Sequence, residues 1–167
     1  MNKKGISPII ATILILGFTV VLAAVFFTWG SGFFSKAQQD TANTVRLSSV
    51  CTEVATNLKL VSSVKILGTN KVLEVAVDNG ASDDLTGSIF RVYNVGETVV
   101  DTFDTKTPTG ITTVPTSTDY TVKAQNIKTF QLDYLDTKIT TPVKLGVKPK
   151  VTVAGKEEIC GESTQDI

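Results

Sequence analysis

Apolar and polar positions divide this chain into two unlike parts. Residues Ile6 to Trp29 form a predominantly apolar run of 24 residues, and no charged side chain appears between Ile6 and Ser35. As a helix, that run is long enough to cross a ~30 Å hydrocarbon layer. Beyond it the pattern changes to a helical stripe. Ala37, Thr41, Thr44, Leu47, Cys51, Val54, Leu58 and Val61 recur at three- and four-residue spacing, with Lys36, Gln39, Asp40, Asn43, Arg46 and Glu53 elsewhere on the wheel. The stripe grows more apolar toward its C-terminal end. These two patterns together predict one helix from Ile6 to about Val61, about 80 Å long at ~1.5 Å per residue.

From residue 62 the period shortens to two. Leu73, Val75 and Val77 alternate with Glu74, Ala76 and Asp78, and the segment stops at Asn79-Gly80, a strong turn signal. Further strands are predicted over 88–95, 97–103, 120–124, 129–135, 142–147 and 150–153. Short strands separated by turn residues indicate a β-sandwich or small barrel. The expected fold class is therefore α+β, a long hydrophobic N-terminal helix followed by an all-β, sandwich-like head over 62–167.

Composition narrows the function. The formal net charge is zero, which gives no basic footprint for nucleic acid. Histidine is absent, removing the commonest general base and metal ligand. No phosphate loop, nucleophile elbow or metal-ligand cluster is present in the sequence. Asp83-Asp84 and Glu157-Glu158 are adjacent pairs, and neighbours on a strand point to opposite faces, so neither pair aims two carboxylates at one substrate. The reading is a non-enzyme with no catalytic residue, metal or cofactor.

The flanks of the apolar run bear on its fate. It is longer than the ~7–15 residues of a secretory signal core, and Ala23-Ala24 is followed by Val25, Phe26 and Phe27 rather than by small residues. Lys3 and Lys4 on the short side place the N-terminus in the cytoplasm and the remainder outside. The string Lys3-Lys4-Gly5-Ile6-Ser7-Pro8-Ile9-Ile10 resembles the leader and start of an archaeal type IV pilin, in the superfamily that includes archaellins. The resemblance implies a leader, residues 1–5, that a prepilin peptidase removes between Gly5 and Ile6. It also implies that the apolar helix is kept, spanning the membrane as a precursor and then forming a filament core. The core positions so implied are Ile6, Pro8, Ile9, Ile10, Ile13, Leu14, Leu16, Gly17, Phe18, Val21, Leu22, Val25, Phe26 and Trp29.

One departure is informative. Bacterial members usually carry a glutamate at the fifth mature position, where this chain has Ile10; archaeal members commonly lack it, which favours an archaeal source. Shape packing then has to set the register. Pro8 suits a first helical turn, where its missing N–H costs nothing, and Ser7 is placed to cap. Small residues such as Ala11, Gly17, Ala23 and Ala24 allow helices to approach closely. Gly30-Ser31-Gly32 is a candidate flexible point. The partners implied are further copies of the chain, the peptidase, an assembly ATPase with its membrane platform protein, and the membrane itself before assembly. The expected location is the cell surface. An archaellin or a monomeric membrane-anchored binding domain are the alternatives.

Two further features concern the head. Cys51 on the stripe and Cys160 after the last strand are either a disulfide tying the tail to the helix or two separate buried thiols. The stretch Thr105–Thr121, with Pro108, Gly110 and Pro115, reads as an outward loop. Its hydroxyls at Thr107, Thr109, Thr112, Thr113, Thr116 and Thr118 are candidate O-glycan acceptors. No Asn-x-Ser/Thr sequon occurs anywhere in the chain.

Overall fold

Apolar residues without a break, and no proline after the first turn, favour one continuous helix. In the computed structural model, which describes residues 8–67, 70–96, 99–133 and 142–167, that helix is α1 (Pro8–Asn57). Helical structure passes through Gly30-Ser31-Gly32 without interruption. The chain divides into two compact units, residues 1–43 and 44–167.

The second unit contains the last turns of α1 and two antiparallel sheets. One sheet has the order β1-β2-β6-β5, formed by Leu58–Leu67, Asn70–Asn79, Asn126–Asp133 and Ile111–Val114. The other runs β4-β3-β7-β8, formed by Val99–Asp104, Gly87–Asn94, Pro142–Val153 and Lys156–Ile159, with β9 (Ser163–Asp166) also paired to β7. The predicted two-part plan, a long helix followed by a β-rich head, is what the fold shows. Between the sheets, Phe90 of β3 and Phe130 of β6 meet with ring centroids 5.0 Å apart, both fully buried. Around them lie Leu73, Val75 and Val77 of β2, Val92 of β3, and Leu145, Val147 and Val151 of β7. The period-2 pattern of 73–78 is thus an inward-facing set alternating with half-buried Glu74, Ala76 and Asp78.

Within this unit the terminal turns of α1 complete the core. Leu47 and Val54, at the C-terminal end of the stripe where the apolar pattern is strongest, are buried, as is Val50. Glu53 accepts hydrogen bonds from the Ser82 backbone N–H (2.8 Å) and hydroxyl (3.1 Å). Cys51 and Cys160 form a disulfide between positions 109 apart along the chain. Gly80 is needed where helix gives way to strand, because a Cβ there would stand 2.9 Å from the Asn57 carbonyl oxygen.

Several strand boundaries differ from expectation, each for a physical reason. The helix ends at Asn57 rather than Val61, because Leu58–Leu67 pairs with β2 along its whole length, from Leu58 opposite Asn79 to Leu67 opposite Asn70. Leu58 and Val61 fit a helical stripe by spacing, yet Leu58 is buried and Val61 is 64% exposed, as strand alternation requires. Residues 120–124 are not a strand: Val122 makes one isolated bridge to Leu85. Side chains take the adjoining backbone groups there, with Asp84 accepting from the Ala124 N–H (2.8 Å) and the Asn79 amide donating to the Lys123 carbonyl (3.2 Å). The strands predicted over 142–147 and 150–153 are one strand, β7, running through Pro149, whose carbonyl accepts from the Cys160 N–H. After Asn79 the chain leaves for the other sheet instead of turning back as a hairpin.

Candidate assembly surface on the apolar helix

An apolar side chain in water is unfavourable by roughly 1.5–3 kcal/mol relative to burial, so a long unburied row of them requires an apolar environment. The first unit is such a row. Among its large apolar residues from Ile9 to Phe34, exposure ranges from 41% at Leu22 to 80% at Phe27. Ile10, Ile13, Leu14, Leu16, Phe18, Val21, Val25, Phe26 and Trp29 are all in this set. Pro8 opens the helix, and Gly17 has nothing within 4 Å of where a Cβ would stand. Lys3, Lys4, Gly5 and Ile6 lie outside the described residues.

Polar groups in the same stretch are internally satisfied. The hydroxyls of Thr12 and Thr19 donate to the carbonyls of Ile9 (2.8 Å) and Leu16 (2.9 Å). Thr28 donates to Ala24 (2.9 Å), Ser31 to Thr28 (3.3 Å) and Ser35 to Ser31 (2.9 Å). Those five are every serine and threonine between residues 8 and 35, and the same span has no charge. This is the condition a helix meets when no water is available to its polar atoms. Leu47, Val50 and Val54 in the second unit are covered by their own fold; the surface from Ile9 to Phe34 is not.

The exposed apolar surface extends past Trp29, the last of the core positions named from the sequence. Phe33 (61%) and Phe34 (67%) are equally exposed, and Phe33 stacks on Trp29 with centroids 5.9 Å apart. Their four-residue spacing from Trp29 and Gly30 was the available signal; the Gly-Ser-Gly interruption obscured it.

The second unit carries several ion pairs. Lys150 is buried and donates to both carboxylate oxygens of Asp104 at 2.7 Å. Burial pushes the Asp104 carboxyl up, and the Lys150 ammonium with the Lys106 N–H outweighs it, leaving its pKa below the ordinary range. Asp84 is held low by Lys123 (2.8 Å) and the Ala124 N–H, and Lys123 is correspondingly raised. Glu162 accepts from Tyr93 (2.6 Å) and Arg91 (3.3 Å), and this hydrogen bond raises the Tyr93 hydroxyl. Its carboxylate lies over Gly146, where a Cβ would collide with it. Glu157 pairs with Lys106. Among the described residues, no group of three or more histidine, cysteine or acidic side chains is arranged to hold a metal.

The threonine stretch is only partly an open loop. Residues 111–114 are β5, with Ile111 and Thr113 buried and Thr112 and Val114 exposed. Thr113 is 2% exposed; its hydroxyl meets the carbonyls of Pro115 (3.0 Å) and Ser117 (3.1 Å) and accepts from the Ser117 N–H (2.7 Å). That takes Thr113 out of the set of glycan acceptors. Thr107, Thr109, Thr112, Thr116 and Thr118 are exposed.

These features define a class of chain, with an unburied apolar helix long enough to cross a membrane followed in sequence by a disulfide-containing, two-sheet head. Residues 4–47 match the archaeal type IV pilin N-terminal family. That family is one of structural subunits, and its members self-assemble into filaments. An uncharacterized protein of Methanocaldococcus jannaschii is 58% identical over 40 residues, 24% of this chain and 12% of that protein. A second uncharacterized protein of the same organism is 30% identical over 107 residues, 53% of this chain and 29% of that protein. The chain therefore spans less than a third of either relative's length. A penta-heme cytochrome c552 from Thermochromatium tepidum superposes on 70% of this chain and 41% of its own, at 10% identity and a TM-score of 0.39, a likeness that carries no argument.

Proposed function

We propose that the chain is a structural subunit of an archaeal type IV pilus that serves in adhesion at the cell surface. The observation that carries the reading is the exposed, charge-free helix surface from Ile9 to Phe34 with every hydroxyl bonded to its own backbone. The precursor crosses the membrane with Lys3 and Lys4 inside, and a prepilin peptidase cuts between Gly5 and Ile6. An assembly ATPase and membrane platform protein then move the helix from lipid into contact with other copies. Exchange of lipid for neighbouring helices keeps the apolar surface out of water throughout, so the filament is stable against release into solution. Exposed threonines at 107, 109, 112, 116 and 118 are available for O-linked sugar.

N-terminal sequencing, or intact mass, of the protein from its native host tests the processing step. Ile6 as the first residue is expected. A chain that begins at Met1 or Asn2 and stays in the membrane identifies an uncut anchor and overturns the reading.

A further inference from the structure

The aromatic residues of α1 frame a hole. Ala23 and Gly30 are seven residues apart, hence on one face of the helix two turns from each other. They form the floor of a shallow depression whose walls are Phe26, Phe27 and Phe34, with Ser31 at the rim. Gly30 has nothing within 4 Å of the position a Cβ would take, so the floor is open. The one rim hydroxyl, on Ser31, is already donated to the Thr28 carbonyl. A hole with a small-residue floor, aromatic walls and no unmet polar group is suited to receive an apolar side chain from a facing helix.

We propose that this hole receives a branched aliphatic side chain from the Ile9–Leu22 stretch of a second copy of the chain, and so sets how neighbouring helices are offset along each other. The proposal rests on the pilus reading. The second copy is favoured as occupant because residues 4–47 match a self-assembling family. The same helix also carries a dense supply of such side chains, Ile9, Ile10, Ile13, Leu14, Ile15 and Leu16, all more than half exposed. With Ile10 at the fifth mature position there is no carboxylate to fix the offset by charge. A knob seated in an aromatic-walled hole provides a steric substitute.

The test compares two glycines of one helix. Gly30→Leu fills the hole, while Gly32→Leu adds the same side chain about 200° away around the axis. Both sites are free of neighbours within 4 Å, and leucine favours helix over glycine, so neither variant disturbs the helix itself. Each full-length variant is expressed in the native host lacking its own copy, and filaments are scored by electron microscopy against processed subunit in the membrane fraction. The expected result for Gly30→Leu is roughly a tenfold or greater loss of filaments with cleaved subunit at the normal level, since the overpacking recurs at every contact. Gly32→Leu is expected to lose markedly fewer filaments than Gly30→Leu, because its side chain faces away from the hole. Normal filaments from Gly30→Leu, or equal loss from both variants, overturns the hole while leaving the pilus reading in place. Absence of filaments from the unaltered chain overturns the pilus reading and the hole with it.

Discussion

Residues 9–34 and residues 44–57 belong to one continuous helix, and they solve the same problem differently. In the upper segment Leu47, Val50 and Val54 are covered by the two sheets of their own unit, and Cys51 is bonded to Cys160. In the lower segment residues as large as Phe27 and Trp29 remain 80% and 70% exposed. The contrast shows which part of the helix is folded by its own chain and which part requires another environment. Substitutions in the two segments should accordingly fail in different assays.

The largest effect is expected for Leu16→Lys, which places an unpaired charge on the lower segment. Taking that charge into an apolar interior costs several kcal/mol per subunit, so filaments visible by electron microscopy should disappear. Thermal unfolding of the head, measured by circular dichroism in detergent, should be unchanged. The reverse outcome is expected for the disulfide. Replacing both Cys51 and Cys160 with serine removes a cross-link between positions 109 apart, worth about 4–5 kcal/mol by loop entropy. The melting temperature should fall clearly, and reductant should lower it in the unaltered chain but not in the double variant.

Phe130→Ala sharpens the same contrast within one residue type. Phe130 is fully buried against Phe90, and truncation should cost about 3–5 kcal/mol in denaturant unfolding. Phe33→Ala, at an exposed position, should leave that unfolding curve in place. The smallest effect concerns acid. Asp104 and Asp84 have folded pKa values below the ordinary value of about 3.9, so the unfolded chain binds protons first. Their contribution is complete above about pH 4 and is lost as pH falls through the lowered values. Melts between neutral pH and about pH 2.5 should show this loss, and it should be smaller in Asp104→Asn. The lower segment has no charge between residues 8 and 35 and should add nothing to this profile.

How much of this was legible in the sequence depends on how local the determining interaction is. The apolar run, the Leu73–Val77 alternation and β3 rest on contiguous patterns, and helix from Pro8 through Trp29 and these strands appear where the patterns place them. The pairing of Cys51 with Cys160, one of two readings the sequence allowed, is present in the fold. Less local features were hidden. Leu58 and Val61 satisfy both periods, and only pairing with β2 decides for strand. Residues 111–114 carry alternating burial, but threonines flanked by glycine and proline resemble a loop until β6 is seen beside them. The hole over Gly30 depends on which aromatic rings stand around it, and the Gly-Ser-Gly string alone suggested flexibility instead. Residues 134–135, part of a predicted strand, and Glu97 lie outside the described residues.

The central claim is that copies of the Ile9–Phe34 surface bury one another. Electron cryomicroscopy of filaments purified from the native host tests it most directly. A helical reconstruction whose density fits this sequence, with the side chains of Ile9 to Phe34 packed against those of neighbouring copies and Ile6 as the first residue, is the predicted result. Filaments in which that stretch is absent or faces solvent, or surface filaments lacking this chain altogether, would contradict it.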